Sequence, residues 1–314
     1  MSALICGSLA FDTIMVFNDR FKNHILPDQV HILNVAFLVP ELRREFGGCA
    51  GNIAYNLKLL GGDPVPMGVV GHDFAPYREW MQQHGIRLDA VRSLDDHYTA
   101  QAYITTDQDD NQITAFHPGA MSLSHQNKVS DVAGIRLGII APDGREGMIE
   151  HAEQFVEAGI PFVFDPGQGL PMFDGDELKR FIDQADWVCV NDYESQMLQQ
   201  RTGYSAEQIA SRCRAYVVTR GAEGAWIYTE AGRLDIPPVK PEAVTDPTGC
   251  GDAFRAGLIH GLLNDFELAV CGRMASLMGS IKVAQAGTQN HHFTVGEFAQ
   301  RYQQAFDEAL PKVA

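Results

Sequence analysis

The chain lacks several features that would assign it to a class at once. It has no run of five or more basic residues, and its net charge of −16 would repel a nucleic-acid backbone. It has no run of 18 apolar residues, which argues against a transmembrane helix and a membrane partner. Its six cysteines (Cys6, Cys49, Cys189, Cys213, Cys250, Cys271) are scattered with no C-x-x-C pair, so neither a zinc site nor a disulfide framework is indicated. Cysteine usage of this kind suits a reducing cytoplasm. The apolar N-terminus is interrupted by Asp12 and has no basic region before it, unlike a signal peptide. There is no Walker sequence G-x-x-x-x-G-K-[ST] and no G-x-G-x-x-G after a strand, which disfavours a P-loop kinase and a simple dinucleotide dehydrogenase. Neither H-E-x-x-H nor G-x-S-x-G occurs.

What is present is a core-forming composition. Of 314 residues, 45% are hydrophobic and 20% charged, enough for one large domain with a smaller appendage. Short apolar runs read as buried strands at Ala3–Cys6, Val65–Val70, Leu137–Ala141, Pro161–Asp165, Trp187–Asn191 and Tyr216–Thr219. Helical stretches lie between several of them, at Asn52–Leu60, Pro76–His84, Met148–Glu157, Glu177–Gln184 and Glu194–Arg201. Strands alternating with helices predict an α/β fold with a mostly parallel sheet. After Asp246 the pattern is almost entirely helical.

Two regions break the rhythm. Residues 9–39 hold the apolar stretches Ile14–Phe17 and Val35–Val39 around a polar segment, and residues 98–117 read as a β-hairpin. Neither supplies helices to cover a parallel sheet. The simplest arrangement is a small separate sheet, formed from 9–39 and 97–119, acting as a lid on a core made of 1–8, 40–96 and 120–314.

The most informative stretch is D-P-T-G-C-G-D-A-F-R-A-G, residues 246–257. Gly249, Cys250 and Gly251 precede an apolar helical run, so they sit where backbone N–H groups lack intrahelical partners and the helix dipole is positive. Asp252 lies in the same turn. An anion cradle beside a base is what phosphoryl transfer to a hydroxyl requires. An ordinary helix start with a first-turn acid would also produce this pattern. A second glycine pair, Gly47–Gly48, precedes Asn52, whose amide is free for a hydroxylated ligand or for capping. Asp12 is a lone acid in an apolar run; with Asn52 it suits recognition of vicinal hydroxyls. Asp165, the pair Asn191 and Glu194, and the set Thr219, Gly221 and Gly224 follow strands at their carboxyl ends, where open α/β sheets bind ligands or where helices are simply capped.

G-G-C-A-G-N-I-A at 47–54 and D-P-T-G-C-G-D-A-F at 246–254 resemble the two signatures of the ribokinase-like (PfkB-type) carbohydrate and nucleoside kinases, in the same order and about two hundred residues apart. G-S-L-A-F-D near the start, N-D-Y-E at 191–194 and T-R-G-A-E-G at 219–224 agree, so the resemblance covers essentially the whole chain. The lid residues F-D-T-I-M-V-F, R-F-K-N-H-I-L-P-D-Q, N-V-A-F-L-V and F-H-P-G-A-M, with G-T-Q-N-H-H-F at 287–293, are most similar to prokaryotic nucleoside and adenosine kinases. The resemblance implies a ribokinase-like α/β fold with a small β-sheet lid. It implies ATP and Mg2+ as cofactors and transfer of the γ-phosphate to the 5′-hydroxyl of a nucleoside, adenosine leading; a kinase for ribose or a sugar phosphate shares every core motif.

By resemblance, Asp252 is the base and Gly249, Cys250 and Gly251 form the anion hole. Asp12, Gly48 and Asn52 bind ribose. Asn191 and Glu194 organise magnesium and phosphate through water, Thr219 and Gly221 lie against the ATP phosphates with Gly224 in the same turn, and Asp246 and Thr248 help bind K+. Cys250 stands where alanine is commoner and brings a thiol open to oxidation. Phe37 and Phe116 are candidates for the walls of a base slot, or for lid packing. The lid's exposed sheet is a surface through which a homodimer would form.

Overall fold

The computed structural model describes residues 2–25, 34–109 and 111–313. Part of the polar lid segment, residues 26–33, and residue 110 of the hairpin turn lie outside them. In chain order the strands are β1 (Ser2–Cys6), β2 (Ala10–Val16), β3 (Glu41–Gly47), β4 (Asp63–Gly71), β5 (Val91–Leu94), β6 (Ala100–Thr106), β7 (Gln112–His117), β8 (Ile135–Ile140), β9 (Phe162–Phe164), β10 (Trp187–Asn191), β11 (Ala215–Thr219), β12 (Ala225–Thr229) and β13 (Gly232–Ile236). The helices are α1 (Cys49–Leu59), α2 (Ala75–Gln83), α3 (Arg145–Ala158), α4 (Gly175–Gln184), α5 (Asp192–Thr202), α6 (Ala206–Ala210), α7 (Cys250–Leu263), α8 (Leu268–Val283) and α9 (Val295–Phe306).

The large sheet has nine strands in the order β13-β12-β11-β10-β9-β8-β1-β4-β5. All run in one direction except β12, which lies antiparallel between β11 and the edge strand β13. Side-chain alternation along each strand divides the core between two faces. Ala3, Ile5 and Ile139 face one way and pack with Ile53, Leu258 and Ala275 of α1, α7 and α8. Leu4, Cys6 and Ile140 face the other way and pack with Phe155, Phe181 and Leu198 of α3, α4 and α5. The strand order reverses at the β1–β8 pair. A cleft lies beyond the carboxyl ends of β8 to β11, lined by Pro142, Asp165, Asn191 and Thr219, the side of a doubly wound sheet where ligands usually bind.

The second sheet has four strands in the order β3-β2-β6-β7, with β2 and β6 parallel and the outer pairs antiparallel. The hairpin expected at 98–117 is β6–β7. The partner expected at Val35–Val39 is not a strand; the sheet takes in Glu41–Gly47 instead, past the 9–39 boundary. That strand reads E-L-R-R-E-F-G, too charged to stand out by apolar content. It lies at the sheet edge, where charged side chains reach solvent and block pairing with other chains. Arg44 lays its guanidinium 3.6 Å over the Phe11 ring, so part of its side chain packs.

Candidate active site

The helix α7 starts as its sequence implies. Gly249 is its N-cap with φ of +77°, and a side chain there would also press on Thr288, whose Cγ2 lies 3.1 Å from the position a Cβ would take. Cys250 donates its N–H to the Pro247 carbonyl at 3.2 Å, closing a turn. The N–H groups of Gly251 and Asp252 have no backbone partner among the described residues. Of the three residues expected to form the anion hole, Gly249 and Gly251 bring N–H groups without a backbone partner among the described residues and Cys250 is engaged, while Asp252 adds a further donor. Burial pushes the Cys250 thiol up to about 11, with Lys282 opposing the rise, so it stays protonated at neutral pH. A protonated thiol is a weaker nucleophile than a thiolate, which slows its oxidation.

Asp252 lies partly buried in the first turn of α7. Burial raises its carboxyl to about 7, with the Asp165 charge adding to the rise; the Asn52 amide and Arg255 act against it. A carboxylate titrating there can both hold and release a proton near neutral pH. Its Oδ2 accepts from Asn52 Nδ2 at 2.8 Å. Asn52 is on α1, which begins at Gly48 with φ of +85°; a Cβ at that glycine would lie 2.5 Å from the Ser8 carbonyl. The two glycine turns, remote in sequence, are thus joined by a hydrogen bond between their polar side chains.

Asn52 is itself held. Its Oδ1 accepts from Gln289 Nε2 at 3.0 Å, and the same nitrogen donates to the Tyr77 hydroxyl at 2.6 Å. Tyr77 donates to the Gly47 carbonyl at 2.9 Å, and Trp80 Nε1 donates to Gln289 Oε1 at 3.0 Å. Asn52 retains one N–H and one lone pair for a ligand. The loop 287–290 that supplies Gln289 is a hub. Thr288 donates to the Phe46 carbonyl at 2.6 Å and Asn290 donates to Glu45 at 3.0 Å, tying β3 of the small sheet to the base.

Asp12, on β2, is paired with Glu45 of β3 and packs directly over Gly47, where a Cβ would overlap its carboxylate. Burial raises it to about 6, reinforced by the charges of Glu45 and Asp246. Across the sheet, Asp12 pairs with Ala102, which pairs with Phe116, so all three project from one face. Phe116 is 52% exposed. Phe37 instead packs its ring against Phe17 at 4.8 Å and Phe21 at 5.0 Å, the packing role open to it in the sequence.

Beside Asp252 runs a cleft of about 920 Å3, lined among others by Asn191, Glu194, Thr219, Gly221, Gly224 and Gly251. A smaller cavity of about 250 Å3, lined by Met67, Asp89, Arg92 and Asn127, shares no residue with it. Asn191 and Glu194 form a reciprocal capping box at the start of α5: Asn191 Oδ1 accepts from the Glu194 N–H at 2.7 Å, and Glu194 Oε2 accepts from the Asn191 N–H at 2.8 Å. Glu194 Oε1 is left for a ligand. Burial raises the Glu194 carboxyl, Asp165 adds to the rise and Arg255 opposes it. Thr219 ends β11 and donates weakly to the Val190 carbonyl at 3.4 Å.

Beneath these acids lies a buried ion pair that sequence reading did not single out. Arg255 grips Asp165 with Nε to Oδ2 at 2.7 Å and Nη2 to Oδ1 at 2.8 Å, and its Nη2 is 3.9 Å from Glu194. The only sequence signal for Arg255 is a basic residue in an otherwise largely apolar helix. Lys282 is one of two basic residues in the largely apolar α8. Gln289 lies within G-T-Q-N-H-H-F, where nothing local marks it as a contact to Asn52, and Tyr77 has no sequence signal.

The fit of the implied metals differs between the two sites. Among the described residues no group of three or more His, Cys, Asp or Glu is placed to hold a metal ion. Magnesium fits nonetheless, because it is commonly held by one or two carboxylates with waters and phosphate oxygens; Glu194, with one free oxygen at the cleft, suits that mode. A potassium ion at Asp246 and Thr248 does not fit. Asp246 Oδ1 accepts from the Thr248 N–H and Oδ2 from the Gly287 N–H, both at 2.9 Å, and its carbonyl accepts from Lys282 Nζ at 2.7 Å.

The sequence profile of the pfkB family carbohydrate kinases matches residues 15–293. The chain belongs to this family. The kinase is a phosphotransferase with an alcohol acceptor, and the remaining comparisons place it among prokaryotic nucleoside kinases. It is 51% identical to the nucleoside kinase of Burkholderia thailandensis in complex with inosine, with a TM-score of 0.91 and coverage of 99% of this chain and 100% of that one. With the same enzyme in complex with ADP-inosine, identity is 53%, TM-score 0.88 and coverage 99% and 98%. It is 29% identical over 264 residues to the nucleoside kinase of Methanocaldococcus jannaschii, covering 82% of this chain and 85% of that protein. No helix of the described residues is long and apolar enough to cross a membrane.

Proposed function

We propose that the kinase transfers the γ-phosphate of ATP to the 5′-hydroxyl of a purine nucleoside in the cytoplasm, with inosine and adenosine both accepted. The observation that carries this reading is the Asp252–Asn52 pair at the meeting of two glycine turns, with Asp12 and Phe116 on one face of the small sheet. Similarity to a nucleoside kinase solved with inosine supports the acceptor class.

In this reading Asp12 accepts hydrogen bonds from the ribose hydroxyls, with Gly48 allowing close backbone approach and Asn52 using its remaining N–H. Phe116 flanks the base, and Phe37 supports the lid from its aromatic cluster. Asp252 takes the proton of the 5′-hydroxyl as the oxygen attacks the phosphorus. The N–H groups of Gly251 and Asp252 face the charge that develops on the phosphoryl oxygens. Thr219, Gly221 and Gly224 form the phosphate side of the cleft, and Asn191 holds Glu194 in place through the capping box. Magnesium, held through Glu194 and water, would neutralise phosphate charge. The small sheet serves as the lid that excludes water. Its outer strand β7 is exposed throughout, Ile113 included, with Tyr103 of β6 half-exposed beside it, which supports pairing of two copies through this sheet.

The test is ADP release with magnesium present and adenosine, inosine, guanosine, cytidine, ribose or fructose 6-phosphate as acceptor. Inosine and adenosine are expected to give the highest kcat/KM. Efficient use of a free sugar with no use of nucleosides would overturn the reading in favour of a sugar kinase.

A further inference from the structure

The segment behind the anion hole contains a feature that the phosphoryl-transfer reading leaves unused. Lys282 is fully buried in the last turn of α8. Its Nζ donates to the Asp246 carbonyl at 2.7 Å and the Gln285 carbonyl at 3.2 Å. These carbonyls belong to two segments, 245–248 and 283–287, that are laced together around the ammonium. The N–H groups of Thr245 and Asp246 donate to the Val283 carbonyl at 2.8 and 3.1 Å, the Thr245 hydroxyl donates to the Ala284 carbonyl at 3.0 Å, and Gly287 N–H reaches Asp246 Oδ2. The first segment runs directly into Gly249 and the start of α7; the second runs into Thr288 and Gln289, which pack on Gly249 and hold Asn52.

We propose that the Lys282 ammonium is a tethered monovalent cation that shapes the anion hole, so that this kinase needs no potassium ion. A cation held by one carbonyl from each of these two loops supplies the same two things that a bound alkali ion would. It cross-links the loop carbonyls, and it puts one positive charge behind the helix start that receives the phosphoryl group. Its position at the carboxyl end of α8 also complements that helix's dipole. Burial works against the charge, and the nearby carboxylates of Asp246 and Asp252 work for it. The ammonium is covalently attached, so it carries no dissociation equilibrium and no dependence on the ionic composition of the medium. Lys282 touches no reacting atom; it is a positioning residue.

Two measurements test this, and only one of them relies on the nucleoside reading. Melting of the ligand-free wild type, in potassium chloride against choline chloride at equal ionic strength, is expected to agree within about 1 °C. Turnover in the two salts is expected to agree within about two-fold. Lys282→Ala, which removes the charge and opens room, is expected to lose at least about ten-fold in kcat in choline. It should regain several-fold, saturably, with potassium or ammonium, and the same ions should raise its melting temperature. Lys282→Met, which fills the space without charge, should lose activity without such rescue. A saturable potassium activation of the wild type by five-fold or more would overturn the proposal, as would a Lys282→Ala enzyme with unchanged kcat and no cation response. If Lys282→Ala does not fold, the wild-type melting and turnover comparison still decides. If no nucleoside is phosphorylated, the melting comparison stands apart from the failed substrate assignment.

Discussion

Replacing Asp252 with Asn tests the base and the energetic cost of holding it in place. A carboxyl that titrates at about 7 instead of near 3.8 carries a cost on the order of 4 kcal/mol when fully ionised. Asp252 is only partly buried and its surroundings relax, so about half of that, on the order of 2 kcal/mol, is expected in unfolding. The folded chain binds this proton more tightly than the unfolded chain. Its stabilising contribution is therefore complete below about pH 4 and is lost as pH rises through about 7. The amide of Asn has no such loss and can still accept from Asn52. Asp252→Asn should match the wild type in melting temperature near pH 4 and exceed it at pH 8 by about 4 °C for a chain of this size. In the same protein kcat should fall by about 10²-fold or more, with nucleoside affinity little changed. The wild-type kcat/KM should fall as pH drops below about 7, because both Asp252 and Asp12, the latter raised to about 6, act ionised. A variant less stable than the wild type at pH 8 would refute the electrostatic reasoning. Turnover near the wild-type rate would remove Asp252 from the role of base.

Three further outcomes are expected. Asp12→Ala should weaken nucleoside binding by roughly 2–4 kcal/mol, because two ribose hydroxyls lose a carboxylate partner; a 2′,3′-dideoxynucleoside phosphorylated as well as its parent would refute the assignment. Arg255→Met should destabilise the fold by about 3–5 kcal/mol in denaturant titration, since it strands Asp165 as a buried unpaired charge, and a double change with Asp165→Asn should recover much of the loss. Cys250 should label with a soluble alkylating reagent far more slowly at pH 7.5 than a model thiol, because burial holds it protonated up to about 11; mass spectrometry showing rapid labelling of that residue would contradict this.

The architecture was legible in the sequence wherever a local rule decides it. The buried parallel strands are short continuous apolar runs, and their helices alternate with them, so the α/β class follows from periodicity. Gly249, Gly48 and Asp252 were legible because a helix start with positive φ, a free N–H and a first-turn acid are properties of a few adjacent residues. The third strand of the small sheet was not. Glu41–Gly47 is an edge strand whose charges face water, and nothing local separates it from a loop; the register of β2 decides it. The site's supporting layer was equally hidden. Asn52 and Asp252 are 200 residues apart, and Gln289 is 237 residues from Asn52. Arg255 and Lys282 look like stray charges in apolar helices until Asp165 and the carbonyls of Asp246 and Gln285 are brought to them. Sequence determined which residues could do chemistry, because side-chain type and backbone freedom are local. Tertiary structure decided which of them are tied up, which are free and at what pH they titrate, because burial and partner charge depend on contacts between distant segments.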